Sequence, residues 1–195
     1  MKLWRTILLS LFFAAAPTAQ ANQPDVLKAA ESVYRLWIGV PLPPQVAAQM
    51  VNQQMLSEIN DKGYVRIMTP QQQLLTFFKQ NGQLYLFAGH GSGYLVSNQG
   101  HIVTNDHVAN ADVGEMAQLG KPQVFLVRKI APQLELMSTQ PLVSDSAKDL
   151  SLLQVNGLTG KPLSLADGKF VQPTLPVFSI GFPGASDEIT AGYGF

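Results

Sequence analysis

The chain has 195 residues, thirteen basic and thirteen acidic side chains, 46% hydrophobic residues and no cysteine. That length suits one domain or two small ones, and the apolar content suffices for a core, which excludes long-range disorder. The missing cysteines exclude disulfides, thiolate zinc sites and a cysteine nucleophile, while the balanced charge gives no electrostatic basis for binding nucleic acid or an anionic membrane.

The first residues read as a secretory signal: Lys2 and Arg5, an apolar run from Ile7 to Ala16, then Ala19-Gln20-Ala21 as an A-x-A cleavage site. The run is short for a bilayer span, so a membrane anchor is the lesser alternative. Cleavage after Ala21 removes two bases, leaves the acids in excess by two and leaves no stable membrane anchor. The expected location is therefore the periplasm or the exterior. A secreted chain without disulfides holds together by packing, a habit of bacterial periplasmic domains.

Residues 31–40 (ESVYRLWIGV) are rich in β-branched and aromatic types and predict a strand ending at Pro41. From Gln45 to Asn60, Ala47, Val51, Met55 and Ile59 recur every fourth residue and predict an amphipathic helix, with Gly63 placed to close it. Tyr64–Met68 predicts a short strand. Thr69-Pro70-Gln71-Gln72 resembles a capping box before a second helix, with Leu74, Leu75, Phe77 and Phe78 buried and an end near Asn81-Gly82. Beyond Gln83, short strand-like runs punctuated by turns cover 84–88, 93–97, 101–104, 124–129, 150–155 and 176–180, with a linker-like stretch at 156–162. This is the pattern of an all-β barrel or sandwich.

Chemistry concentrates at Gly91-Ser92-Gly93, a strand, the Asn98-Gln99-Gly100 turn, a second strand, and Thr104-Asn105-Asp106-His107-Val108. The frame G-S-G, strand, turn, strand, T-N-x-H-V resembles the catalytic-histidine hairpin of chymotrypsin-fold serine proteases, nearest their bacterial HtrA/DegP-like branch. Residues 149–155 (DLSLLQV) resemble that family's D-[LI]-A-L-L-x-V segment. Residues 177–184 (VFSIGFPG) resemble its V-x-x-I-G-[NYF]-P segment, and Ile189-Thr190-Ala191-Gly192 resembles the T-x-G strand that follows. The matching segments span roughly 32–40 and 84–195, leaving 41–83 as an unmatched insertion.

The resemblance implies a chymotrypsin-like double β-barrel. Its expected parts are a signal peptide at 1–21, a first barrel at 22–158 with a helical insertion at about 41–83, and the start of a second, incomplete barrel at 159–195. It implies a serine endopeptidase acting on polypeptide substrates, with His107 as base and then acid, and Asp149, 42 residues later, as the carboxylate that orients it. The order His then Asp agrees with the chymotrypsin arrangement. Asp145 is the rival carboxylate, but it lies in a polar loop. No G-x-S-G-G occurs in the sequence, so this stretch is expected to be an N-terminal fragment lacking its nucleophile and inactive alone. Ser92 is not in a G-x-S-x-G elbow, because His90 and Tyr94 stand where glycines are needed; G-S-G is expected to be a structural turn. Ser179 is expected inside a strand with its hydroxyl poorly exposed.

Asp106 departs from the family, which carries Asn or a small residue before the histidine. His101 and His107 are evenly spaced, but no carboxylate completes a metal site; no metal and no cofactor are expected, and His90 and His101 are taken as turn residues. The other class of reading is a non-catalytic exported protein that binds a peptide or partner on a protease scaffold, with the insertion as contact surface. Helical insertions in this branch also mediate oligomer contacts, which leaves a homo-oligomer open.

Overall fold

The computed structural model describes residues 23–170, 177–182 and 190–194. The predicted signal peptide lies outside them. In chain order the elements are α1 (Gln23–Ala30), β1 (Val33–Pro41), α2 (Pro44–Met50), α3 (Gln53–Lys62), β2 (Tyr64–Met68), β3 (Leu74–Gln80), β4 (Gln83–Leu95), β5 (His101–Thr104), α4 (Asp106–Ala109), β6 (Gln123–Lys129), β7 (Glu135–Ser138), β8 (Gln140–Asp145), β9 (Leu150–Gln154), β10 (Val177–Gly181) and β11 (Thr190–Gly194). No helix among the described residues is long and apolar enough to cross a membrane.

Antiparallel pairing links the strands in the order β7-β6-β1-β4-β5-β9-β8, and the β2–β3 hairpin joins through the start of β4. The sheet curls into a half-barrel, the chymotrypsin-like architecture expected, and β10–β11 form a separate two-stranded piece of a partial second barrel. The period-2 alternation of β1 sorts its side chains between two cores. Leu36, Ile38 and Val40 point into the barrel with Leu95, Ile102, Leu126 and Leu153. Trp37 points outward and packs with Phe78, Tyr85, Phe125 and Val127. Each buried aliphatic side chain contributes about 1.5–3 kcal/mol, and the edge-to-face contacts of Trp37 with Phe78 and Phe87 add about 0.5–1.5 kcal/mol each.

The insertion differs from expectation in two ways. The predicted helix over 45–60 is two helices, because Val51 is extended and Asn52 starts α3 afresh, its side-chain oxygen accepting the Met55 N–H at 2.9 Å. Met55 and Ile59 are its buried face, and Gly63 closes it at φ +85° as expected. The second predicted helix is instead β3. Phe77 and Phe78 are both fully buried but in different clusters, Phe77 beneath α3 and Phe78 beside Trp37. Adjacent residues reach opposite sides in a strand, not in a helix. The Thr69-Pro70 sequence that resembled a helix cap closes the β2–β3 turn, where Thr69 Oγ1 accepts the Gln73 N–H at 3.1 Å and Gln72 adopts φ +60°. The insertion is thus helical over 44–50 and 53–62 and a β-hairpin over 64–80.

Residues 83–95 form one continuous strand rather than two runs split by a turn, so G-S-G sits mid-strand and His90 is a strand residue paired with Trp37. His101 likewise opens β5, its Nδ1 2.7 Å from Ser97 Oγ. β7 and β8 have no counterpart in the predicted runs; β8 is largely exposed and polar at its end, which hides the alternation. The linker-like stretch is tied down: the Leu163 N–H donates to Leu95 at 2.8 Å, and Ser32 Oγ donates to the Lys161 carbonyl.

Candidate active site

The geometry of the site begins with glycine. A Cβ on Gly91 would lie 2.5 Å from Val108 Cγ2, and one on Gly93 would lie 2.6 Å from Ile102 Cγ2. The bare Gly91 lets α4 settle on β4, with Val108 buried in the barrel core, and the bare Gly93 lets Ile102 of β5 close in. Anchoring Val108 inward leaves its neighbour His107 at the surface, with a side chain 70% exposed.

Asp149 approaches from the start of β9. Its backbone adopts φ +53°, a left-handed conformation that Asp tolerates better than most side chains. From there one carboxylate serves three donors. Oδ1 accepts the His107 backbone N–H at 2.9 Å, and Oδ2 accepts Asn105 Nδ2 at 3.0 Å and lies 2.8 Å from His107 Nδ1. An ionised carboxylate can only accept, so His107 Nδ1 carries a proton toward Asp149, and in the neutral imidazole the lone pair is on Nε2. The His107 amide above all, then the imidazole and Asn105, hold the Asp149 carboxyl below its ordinary value, against partial desolvation. The Asp149 side chain is 44% exposed. Asn105, the N of the T-N-x-H-V frame, is a site residue that the sequence reading does not single out.

Asp106 turns away from the imidazole. Its Oδ1 accepts Ser151 Oγ at 2.8 Å and Asn110 Nδ2 at 2.6 Å, and Ser144 Oγ stands 2.6 Å from Ser151 Oγ. The Ser151 hydroxyl first, then Asn110 and Ser144, lower the Asp106 pKa. Ser151 occupies the alanine position of the D-[LI]-A-L-L-x-V pattern. The two departures from the pattern, Asp106 and Ser151, therefore bond to each other.

The other singled-out residues lie elsewhere. Asp145 pairs with Lys148 at 2.9 Å and does not reach His107. Ser92 Oγ accepts the Phe182 N–H at 2.8 Å, fastening β10 to β4. Ser179, expected to be poorly exposed, is exposed. Among the described residues no group of three or more His, Asp or Glu is placed to hold a metal ion.

A family model for the trypsin-like peptidase domain matches residues 91–195, from the G-S-G strand onward. The chain belongs to the trypsin-like peptidase family. No curated protein matches it. Membership implies a peptidase domain and polypeptide substrates. The match begins at Gly91, whose bareness seats α4, and takes in both His107 and Asp149. It leaves β1 and the insertion of this trypsin-like peptidase unmatched.

Proposed function

We propose that this trypsin-like peptidase chain is the histidine- and aspartate-bearing portion of a serine endopeptidase of HtrA/DegP-like type that cleaves exported polypeptides in the periplasm or outside the cell. The observation that carries the reading is the Asp149–His107 pair at 2.8 Å, with Nδ1 engaged and Nε2 open. In that arrangement Nε2 takes the proton of a serine hydroxyl as it attacks the scissile carbonyl, then returns it to the leaving amine. Asp149 fixes the tautomer and stabilises the imidazolium. The nucleophile and its oxyanion donors belong, on this reading, to sequence beyond Phe195, so residues 1–195 alone carry no turnover.

The test is to express the reading frame extended past Phe195 and follow cleavage of an unfolded protein substrate. Cleavage that His107→Ala abolishes supports the endopeptidase. An extended protein that binds unfolded polypeptide equally well with and without His107, and cleaves none, overturns it in favour of a binding module on a protease scaffold.

A further inference from the structure

Asn105 stands at the N-cap of α4, yet its side chain does not cap. Its backbone carbonyl accepts the Val108 and Ala109 N–H groups at 3.1 Å each, as an N-cap carbonyl does. An N-cap asparagine ordinarily turns its side-chain oxygen back to the N–H of the second or third helical residue. Here the second helical residue is His107, and its N–H meets Asp149 Oδ1 instead, at 2.9 Å. Asp149 thus caps α4 from another strand, and the Asn105 amide is released to act as a donor.

Both side-chain hydrogen bonds of Asn105 end on Asp149. Nδ2 donates to Oδ2 at 3.0 Å and to the backbone carbonyl at 3.3 Å, so one amide ties the carboxylate to its own main chain. Asp149 sits at φ +53°, a conformation disfavoured for residues with a Cβ unless their surroundings hold them there. The loop before it has separate support, since Asp145 Oδ1 accepts the Lys148 N–H at 3.1 Å. Rotation of the carboxylate is a different matter. Besides the imidazole, each oxygen has one donor: the His107 amide on Oδ1 and Asn105 on Oδ2. Oδ2 is the oxygen nearer His107 Nδ1, at 2.8 Å against 3.0 Å for Oδ1. Without Asn105, only the imidazole itself would hold Oδ2 in place. A role in the fold does not account for the asparagine. Its side chain is exposed, does not cap the helix, and bonds among the described residues to Asp149 alone.

We propose that Asn105 is a positioning residue, whose amide holds Asp149 Oδ2 on His107 Nδ1 and so sets the imidazole tautomer without touching substrate. The expected effect on turnover rests on the endopeptidase reading of the His107–Asp149 pair. The expected effect on the imidazole does not.

Two variants test it. Asn105→Ala removes the donor and takes no side-chain cap away, while Asn105→Asp keeps the shape and the N-cap preference but puts an acceptor where the donor was. Both are made in the protein extended past Phe195, with its histidines labelled in ¹⁵N. The His107 ring shifts, read well above the ordinary histidine pKa, give the ratio of Nδ1–H to Nε2–H imidazole whether or not the protein cleaves anything. The proposal expects that ratio to fall about tenfold in each variant. It also expects kcat on an unfolded protein substrate to fall about 10- to 100-fold, the loss of one hydrogen bond to a charged group, with KM within about twofold. Where alanine unseats α4, the aspartate variant decides. A variant that keeps the amide protection of β1 and β6 and the wild-type tautomer ratio overturns the proposal, whatever its turnover. Unaltered kcat in a protein that does turn over overturns it as well. A ratio that falls in the variants of a protein that cleaves nothing supports the positioning role and counts against the endopeptidase reading instead.

Discussion

The two faces of the β1–β4 ribbon use the same backbone for opposite ends. Inside the barrel, Gly91 and Gly93 withhold side chains so that aliphatic neighbours close in, and position is fixed by shape. Outside, Arg35, Trp37, His90 and Ser92 alternate with those glycines and offer charge and hydrogen-bonding groups. His107 depends on the inner face, because Val108 roots α4 in the core. The attachment of β10 depends on the outer face, through Ser92. A strand pair can thus carry a close-packed seat for α4 on one face and polar side chains on the other without either intruding on the other, because successive side chains diverge.

The sharpest way to test the inner face is chemical. In the extended protein, Asp149→Asn is expected to keep the fold but favour the wrong imidazole tautomer, lowering kcat about 10⁴-fold with little change in KM. Turnover within tenfold of wild type would remove Asp149 from the proposed machinery. Next in size is Gly91→Ala. The added methyl meets Val108 Cγ2 at 2.5 Å and Cγ1 at 2.7 Å, both on a short β-branched side chain with little freedom to yield. A loss of about 1–3 kcal/mol in urea unfolding is expected, relieved when Val108→Ala is added. Without that relief, the glycine matters for some other reason than close approach.

Much of this support was legible in the sequence. The T-N-x-H-V frame, the aspartate before an apolar run and the strand at 101–104 each stand where local pattern and family motif agree. What escaped was set by tertiary contact. Residues 74–80 form a strand because Phe77 and Phe78 are claimed by different cores, a demand that no local window contains. G-S-G reads as a turn because glycine so often marks one, whereas in the strand Gly91 admits Val108 and Gly93 admits Ile102. The positive φ of Asp149, which aims its carboxylate at the His107 amide, has no sequence signature beyond Asp tolerating it.

On the outer face, Ser92→Ala removes the acceptor of the Phe182 N–H. The expected cost is about 1 kcal/mol, seen as faster amide exchange at Phe182 while the core amides of β1 and β6 keep their protection. Equal acceleration throughout would mean that Ser92 supports the barrel rather than the attachment of β10.

The smallest expected effect lies at the rim where the two departures from the family pattern meet. Asp106 has its pKa lowered chiefly by the Ser151 hydroxyl, so its carboxylate stabilises the fold above the ordinary Asp value. That contribution disappears as pH falls through the lowered value, in the acid range below 3.8. Ser151→Ala restores the family's residue but takes away the main donor, which returns the Asp106 pKa toward normal. The acid-unfolding midpoint should therefore move to higher pH, whereas in an Asp106→Asn background the same substitution should leave it unmoved. If both backgrounds respond alike, Ser151 acts through packing in β9, and the pairing of the two unusual residues has no energetic content. A shift confined to the aspartate background would show that the Asp106 carboxylate is energetically coupled to a hydroxyl 45 residues away.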